Sequence, residues 1–143
     1  MATSIGFTGT RKGMNFNQRN LLRELLEKFV NNHGGAVTFH HGDCIGADEQ
    51  AHKIAEELKM RIVVHPPEDP KYRAFCQGHE EEKPLPYLER NRNIVSRSYH
   101  LIAAPKEQYE VTRSGTWYTV RRAREQDLNV LIIKRGGRYA VGI

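Results

Sequence analysis

Short apolar runs alternate with helical periodicity along most of this sequence. Leucine, phenylalanine and valine recur with the spacing of one helix face over residues 21–30, and alanine, isoleucine and leucine do so over residues 47–58. Runs of strand length, such as residues 61–64 and 130–133, lie between the periodic segments. The pattern therefore predicts strands and helices in alternation.

The predicted elements cover nearly the whole chain. Asn15 or Asn17 is placed to cap the first helix, and Gly34-Gly35 to end it. The residues after 133, with Gly136-Gly137, are predicted to form a tail or a short edge strand. The predicted strands are residues 4–7, 36–39, 61–64, 99–103 and 130–133. The predicted helices are the capped segment whose apolar face covers residues 21–30, and residues 47–58, 88–96 and 114–126.

The strands are apolar throughout, which is typical of a parallel sheet covered by helices on both faces. We therefore predict an α/β fold: a single Rossmann-like domain over residues 1–143, with a mostly parallel sheet of about five strands. Ligands bind beyond the carboxyl ends of the strands in such sheets. Residues 66–86 hold five of the six prolines and show no periodicity, so this loop is expected to be a lid, a binding loop or mobile.

Composition excludes several classes of protein. The chain has 143 residues and a formal net charge of +5, which permits a polyanionic partner without demanding one. Its apolar runs are too short for a transmembrane helix, and residues 1–16 lack a signal-peptide core, so a cytoplasmic protein without a membrane partner is expected. The two cysteines, Cys44 and Cys76, cannot build a disulfide framework.

Three predicted strand ends carry small or polar clusters that should face the same side of the sheet. Glycines allow a ligand to approach the backbone, hydroxyl groups donate hydrogen bonds, and helix N-termini and arginines attract phosphate. Each cluster taken alone is equally a tight strand-to-helix turn. Neither GxGxxG after the first strand nor GxxxxGK[ST] is present. The clusters are Thr8-Gly9-Thr10-Arg11; Gly42, Asp43, Cys44, Gly46 and Asp48; and Arg113-Ser114-Gly115-Thr116.

The order of these motifs resembles the SLOG superfamily over roughly residues 4–133. The residues that carry the resemblance are Gly9-Thr10-Arg11, His41-Gly42-Asp43 with Gly46-Ala47-Asp48, Arg90-Asn91 and Ser114-Gly115-Thr116. The sequence is most similar to the YspA-like branch, and more distantly to the DNA-processing protein DprA and the lonely-guy phosphoribohydrolases. The resemblance implies a Rossmann-like domain that binds nucleotides or nucleotide-derived ligands, and a homo-oligomer, since relatives often pair through helices.

The resemblance also implies roles for particular positions. Ser114-Gly115-Thr116 matches the glycine-rich phosphate-binding turn, and residues 42–48 match the second-strand turn that closes on the ligand. Arg90-Asn91 matches an arginine–asparagine pair that faces the pocket. The lonely-guy hydrolases carry a glutamate three residues after their motif threonine, and Thr119 stands there in this chain. The acid of that hydrolysis is therefore missing from its usual place.

Charge narrows the roles of the candidate residues. Arg11 and Arg113 are the phosphate candidates. Asp43 and Asp48 would repel phosphate, so they either face ribose hydroxyls or a base edge, or serve the turn and the first helical turn. Arg90 can equally form an internal ion pair, and Asn91 can hold a loop.

Aromatic and sulfur-containing side chains leave further alternatives open. Trp117 and Tyr87 either stack on a base or belong to the core or rim. Cys44 is either a nucleophile at a helix N-terminus or, more commonly for such a residue, an inert thiol. Cys76-Gln77-Gly78-His79 has metal-pair spacing, with His40, His41 and His65 available. Zinc sites normally need four clearly spaced ligands, so neither a metal nor a cofactor is predicted.

The residues are compatible with three functions. The first is a module that binds a phosphorylated nucleotide-type small molecule as a sensor, carrier or sequestering protein. The second is a hydrolase of a nucleotide N-glycosidic bond, with Asp43, Asp48 or Glu110 as the carboxylate, so whether the chain is an enzyme stays open. The third is a single-stranded nucleic-acid binder, based on the basic Arg121, Arg122 and Arg124, which are otherwise a solvated helix face.

Overall fold

The computed structural model describes residues 1–136 and the backbone of residues 140–141. The strands are β1 (Thr3–Gly9), β2 (Val37–His41), β3 (Arg61–Val64), β4 (Glu80–Glu81), β5 (His100–Ala104), β6 (Asn129–Ile132) and β7 (Ala140–Val141). The helices are α1 (Phe16–Asn32), α2 (Ala47–Glu57), α3 (Tyr87–Ser96) and α4 (Gly115–Glu125), and a short 3-10 helix covers Pro70–Tyr72.

All described strands form one sheet in the order β4-β3-β2-β1-β5-β6-β7. β1 pairs in parallel with β2 on one side and with β5 on the other, and only β7 is antiparallel to its neighbour. The chain therefore builds outward from β1 through β4 and then crosses back to place β5 on the other side of β1. This reversal leaves a crevice between the carboxyl ends of β1 and β5, where open α/β sheets bind ligands.

Helices cover both faces of the sheet, which confirms the predicted α/β class. Leu22 and Leu26 of α1 and Ala51 and Ala55 of α2 pack with Phe39 in a core on one face. On the other face, a core cluster joins α3 and α4 to β5 and β6. Its buried members are Val95, Leu101, Ala103, Trp117, Val120, Ala123, Val130 and Ile132.

The segment over residues 66–86 is more ordered than its sequence indicates. It contains the 3-10 helix and β4, a sixth parallel strand that the apolar pattern could not reveal because both its residues are glutamates. Glu80 pairs with Arg61 at 3.4 Å, and Glu81 pairs with Arg73 at 3.2 Å. The mostly parallel sheet of about five strands is thus confirmed, with β4 and the short β7 added at its two edges.

The start of α1 and the edge strand β7 each match one of the alternatives that the sequence left open. α1 begins at Phe16, directly after Asn15, which is the N-cap residue and forms a capping box with Gln18. β7 is the edge strand that was one of the two alternatives for the tail, while Gly137 lies outside the described residues. Among the helices of the described chain, none is long and apolar enough to cross a membrane.

Candidate functional site

A basic cleft of about 390 Å³ lies in the crevice between β1 and β5. Its cationic side chains are Arg11, Lys12, Lys106 and Arg113, and the start of α4 forms one wall. The carboxylate in its lining, Glu107, accepts a hydrogen bond from Trp117 Nε1 at 3.1 Å and lies 3.9 Å from Lys106 Nζ. Within the described residues, Lys12 and Arg113 form no ion pair, so their charge is available to an anion.

The turns after β1 and β2 are docked together beside this cleft. The Thr10 N–H donates to Ala104 O at 3.0 Å, and Ala47 N–H at the start of α2 donates to Thr10 O at 3.0 Å. Gly46 lies against the backbone carbonyl of Arg11 with a φ of +90°, where a Cβ atom would collide with that carbonyl. The structure thus brings two of the three predicted clusters together through backbone contacts.

The third cluster forms the start of α4. Ser114 is the N-cap residue, and its Oγ accepts from the Trp117 N–H at 3.2 Å. The N–H groups of Gly115 and Thr116 are in the first turn, where a helix offers no partner within itself and carries a positive partial charge. A Cβ atom on Gly115 would meet Tyr87 Oη at 2.5 Å, so this glycine allows α3 to approach α4.

A second cleft of about 220 Å³ adjoins the basic cleft and shares Arg11 and Tyr87 with it. Its walls include Pro67, Pro86 and Tyr72, with Glu68 and Asp69 at its edge. The Arg11 guanidinium lies 4.0 Å from the centre of the Tyr72 ring. Residues 66–86 therefore supply an apolar and acidic annex to the basic cleft, which sequence analysis did not single out.

Asp43 lies beneath the site and holds the 66–86 segment in place. Its carboxylate is fully buried, accepts from Arg73 Nε at 2.8 Å and accepts from the Cys76 N–H at 2.8 Å. The Ala74 N–H donates to Asp43 O at 2.8 Å. With both oxygens occupied, Asp43 faces the loop and does not line the basic cleft, in keeping with the turn role that was left open for it.

Arg90 and Asn91 are also buried below the clefts. Arg90 Nη1 donates to Gly42 O and, at 3.1 Å, to His65 O, while its Nε donates to Asn91 Oδ1 at 2.7 Å. The guanidinium therefore ties the carboxyl ends of β2 and β3 to α3. The sequence is compatible with a ligand contact or an internal ion pair for Arg90. In the structure, its guanidinium instead binds the backbone carbonyl groups of Gly42 and His65.

Asp48 and Cys44 occupy the floor between the two clefts. Asp48 Oδ2 accepts from the Cys44 N–H at 3.2 Å, and Oδ1 has no hydrogen-bond partner among the described residues. Burial raises the pKa of Asp48 to about 6, opposed by the charge of Arg90. Burial, with the charge of Asp48, raises the pKa of Cys44 to about 11, which favours the inert thiol over the nucleophile.

Of the two aromatic candidates, only one reaches the clefts. Trp117 is 2% exposed and belongs to the core, whereas Tyr87 is 44% exposed and lines both clefts. Thr119 is buried, and its Oγ1 donates to Gly115 O at 2.9 Å. The position of the missing hydrolase glutamate is thus filled by a hydroxyl group that is already bonded.

A cluster of His41, His52 and Cys76 brings its donor atoms within 4.8 Å of one another. His41 Nδ1 accepts from the Asp43 N–H at 3.0 Å, so the proton of this ring resides on Nε2, which faces His52 Nδ1 at 2.9 Å. A metal ion on His41 Nε2 would need that proton on Nδ1, directly against the Asp43 N–H. His41 and His52 therefore fit a hydrogen-bonded chain better than a metal site.

The buried histidines predict acid sensitivity. Burial, with the charge of Arg97, lowers the pKa of His40 to about 4, and burial lowers that of its hydrogen-bonded neighbour His65 to about 3. The pKa of His41 is also lowered by burial. The histidines of the unfolded chain bind protons near pH 6.5, so acidification favours unfolding. Asp48 has the opposite effect, because its raised pKa makes the folded chain bind a proton first, and this offsets the contribution of one histidine.

We therefore expect the free energy of unfolding to fall by about 1 kcal/mol or more per pH unit between pH 6 and pH 4. Urea titrations followed by circular dichroism at several pH values measure this slope. His65→Gln removes one titrating group and should give a shallower slope. Constant stability from pH 7 to pH 4 in the parent chain would contradict the prediction.

The arginines of α4 are largely neutralised by carboxylates. Arg121 and Arg124 both contact Glu110 at 3.1 Å, and Arg122 contacts Glu125 at 3.3 Å. A helix face that binds single-stranded DNA needs arginines free to meet phosphate. The pairing supports the solvated-surface interpretation of this run.

Comparison with solved structures places the fold among known proteins. The molybdenum cofactor binding protein of Rippkaea orientalis has a TM-score of 0.70 at 17% identity, with 94% of this chain and 77% of that chain covered. The Moco carrier protein of Chlamydomonas reinhardtii has a TM-score of 0.67 at 20% identity, with 92% and 76% covered. No family model matches the sequence, and no curated protein does either.

DNA processing protein A (DprA) of Streptococcus pneumoniae also shares the fold. Its TM-score is 0.65 at 18% identity, with 92% of this chain covered but only 50% of DprA. The comparisons confirm the Rossmann-like fold that the sequence resemblance implies. At these identities they establish the fold alone.

Proposed function

We propose that this chain binds a phosphorylated nucleotide-type ligand in the basic cleft, as a sensor, carrier or sequestering protein. The observation that carries the proposal is the convergence of Arg11, Lys12, Lys106 and Arg113 with the N-terminus of α4 at the crevice between β1 and β5. Backbone N–H groups and guanidinium groups at that point are suited to a phosphate group. The volume of about 390 Å³ is within the range of small-molecule sites.

The two other candidate functions receive less support. Hydrolysis of an N-glycosidic bond needs an acid near the departing base, and Thr119 occupies its usual place. Of the three candidate carboxylates, Asp43 and Glu110 are held by arginines, and Asp48 is buried at the floor between the clefts. Binding of single-stranded DNA is opposed by the paired arginines of α4. Ligand retention without cleavage is therefore the expected behaviour.

A second candidate ligand is the molybdenum cofactor. Its support is that two of the proteins that share the fold bind or carry that cofactor. The basic cleft with its apolar annex has room for an anionic ligand with a planar ring. Native mass spectrometry of the chain with AMP, GMP or the cofactor distinguishes the two candidates, because the mass of the retained ligand identifies it.

Removal of the Arg113 side chain should weaken nucleotide binding without unfolding the protein. Arg113 is exposed at the cleft and forms no ion pair within the described residues. Its loss should therefore weaken the binding of an anion while leaving the stability of the fold nearly unchanged. We expect Arg113→Ala to raise the Kd for AMP about 10-fold, the worth of one charge-assisted contact. Calorimetric titration measures the change.

Lys28→Ala is the matched control for that prediction. Lys28 is exposed near the end of α1, towards the amino ends of the strands, so the substitution removes the same charge far from the cleft. Equal affinities for AMP in the parent chain, Arg113→Ala and Lys28→Ala would show that Arg113 does not bind the ligand. Failure of the parent chain to bind any phosphorylated ligand would contradict the proposed function itself.

A further inference from the structure

A small cavity lies under the floor that joins the two clefts. Its volume is about 10 Å³, close to the space that one water-sized oxygen needs. Asp48, Gly9 and Gly42 contribute to its lining. Arg11 and Tyr87 border this cavity as well as both clefts, so it opens towards the place where a ligand would lie.

One residue in the lining of this cavity, Asp48, has an unused acceptor. Asp48 is 6% exposed, and its Oδ1 has no hydrogen-bond partner among the described residues, whereas Oδ2 accepts from the Cys44 N–H. A buried carboxylate oxygen without a partner costs free energy, and folded proteins retain few of them. The unpaired oxygen is therefore better explained by a donor that arrives with a ligand than by the needs of the fold.

The surroundings of Asp48 determine which donor fits. Arg90 of α3 is the opposing charge, but its hydrogen bonds go to Gly42 O, His65 O, Asn91 Oδ1 and Cys44 Sγ. The other titratable neighbours are Asp43 and Cys44 on the turn after β2 and Cys76 of the 66–86 segment, with Arg11 and Tyr87 at the mouth. Phosphate is repelled by the carboxylate, and a ring is too large for the cavity. A hydroxyl group is small enough for the cavity and has a proton to donate to Asp48 Oδ1.

We propose that Asp48 Oδ1 accepts a hydrogen bond from one hydroxyl group of the ligand's sugar, so that the site selects ribonucleotides over deoxyribonucleotides. This inference rests on the proposed function, because the phosphate in the basic cleft holds the sugar above the cavity. Gly42 leaves the space beside the Asp48 carboxylate open. A Cβ atom on Gly42 would lie 2.9 Å from Asp48 Oδ2 and 2.6 Å from Arg90 Nη1.

The test compares AMP with 2′-deoxy-AMP and 3′-deoxy-AMP by calorimetric titration. We expect the parent chain to bind AMP about 10-fold to 100-fold more tightly than one of the deoxy forms, the range for a hydrogen bond to a charged acceptor. Asp48→Ala should bring this ratio to about 1, because the affinity for AMP should fall to that for the deoxy form. Asp48→Asn keeps the shape and should reduce the ratio.

Glu49→Gln is the matched control, because it removes a carboxylate from the same turn of α2 and Glu49 lines neither the cavity nor a cleft. It should leave the ratio unchanged. A parent chain that binds AMP and both deoxy forms equally would overturn the inference while leaving the proposed function standing. A ratio that persists in a folded Asp48→Ala protein would also overturn it. Failure to bind AMP at all would overturn both.

The pH dependence of the same ratio supplies an independent readout. Protonation of Asp48 removes the negative charge that strengthens the hydrogen bond. The pKa of about 6 places that event between pH 7 and pH 5. The preference for AMP should therefore shrink over this interval in the parent chain and be flat in Asp48→Ala. The ligands carry the same phosphate, so its own titration cancels in the ratio. A preference that is constant from pH 8 to pH 5 would count against Asp48.

Discussion

Replacement of Arg90 by alanine is expected to lower the free energy of unfolding by about 3–5 kcal/mol, the cost of leaving buried polar partners uncompensated. The guanidinium is 3% exposed and donates to Gly42 O and His65 O, which lie at the ends of two neighbouring strands. Its loss leaves both carbonyl groups buried without this donor. It also removes the positive charge that stabilises the buried Asp48 carboxylate and lowers its pKa against the effect of burial. Urea unfolding measures the change.

Arg92→Ala is the control on the same helix. Arg92 is exposed, and its contact is a 3.5 Å hydrogen bond to Tyr118 Oη, so we expect a change within about 0.5 kcal/mol. Arg90→Lys keeps the charge but cannot bridge the same partners, so it should fall between the parent chain and Arg90→Ala. Equal stabilities for Arg90→Ala and Arg92→Ala would mean that the strand ends do not depend on this side chain.

The second large effect is expected for Gly46→Ala, which should lower the free energy of unfolding by about 2–4 kcal/mol. Backbone strain and steric crowding both contribute to this loss. Gly46 has a φ of +90°, which L side chains rarely adopt, and a Cβ atom there would collide with the Arg11 carbonyl. The turn that carries Arg11 would have to move away from α2. We therefore expect nucleotide affinity to fall along with stability, because Arg11 borders both clefts.

Gly34→Ala separates the strain from the collision. Gly34 also has a positive φ, of +59°, but a Cβ atom there meets nothing within 4 Å. Its substitution should cost about 1 kcal/mol, the usual price of a left-handed backbone for a non-glycine residue. If Gly46→Ala is no more destabilising than Gly34→Ala and binds AMP normally, the contact between the two turns does not organise the site.

The part of the site that could be predicted from sequence is the part that follows from strand order. Thr10, Gly46 and Ser114 each follow or precede an element that the apolar pattern identifies, and parallel strands bring those ends to one edge of the sheet. The resemblance to SLOG proteins added the order of the motifs. Arg11 and Arg113 accordingly lie at the basic cleft, as their charge and position indicated.

The polar residues beneath the cleft could not be assigned in this way. Asp43 is bound by Arg73, thirty residues away in sequence, and Arg90 reaches Gly42 across forty-eight residues. Their types and positions are equally compatible with a ligand, so sequence analysis left the alternatives open. The annex formed by Tyr72 and Pro67 was missed for a similar reason, since nothing periodic marks a loop that docks by side-chain contacts.

The sequence by itself determined the α/β class, the alternation of elements and the edge of the sheet at which glycines, hydroxyl groups and arginines gather. Hydrophobic periodicity is local, so it can be read without knowing the fold. Only the tertiary structure decided that Asp43 and Arg90 support the site from below, while Asp48 keeps an unpaired oxygen at its floor. Whether a buried polar group is satisfied depends on partners far along the chain, and that pairing exists only once the strands are assembled.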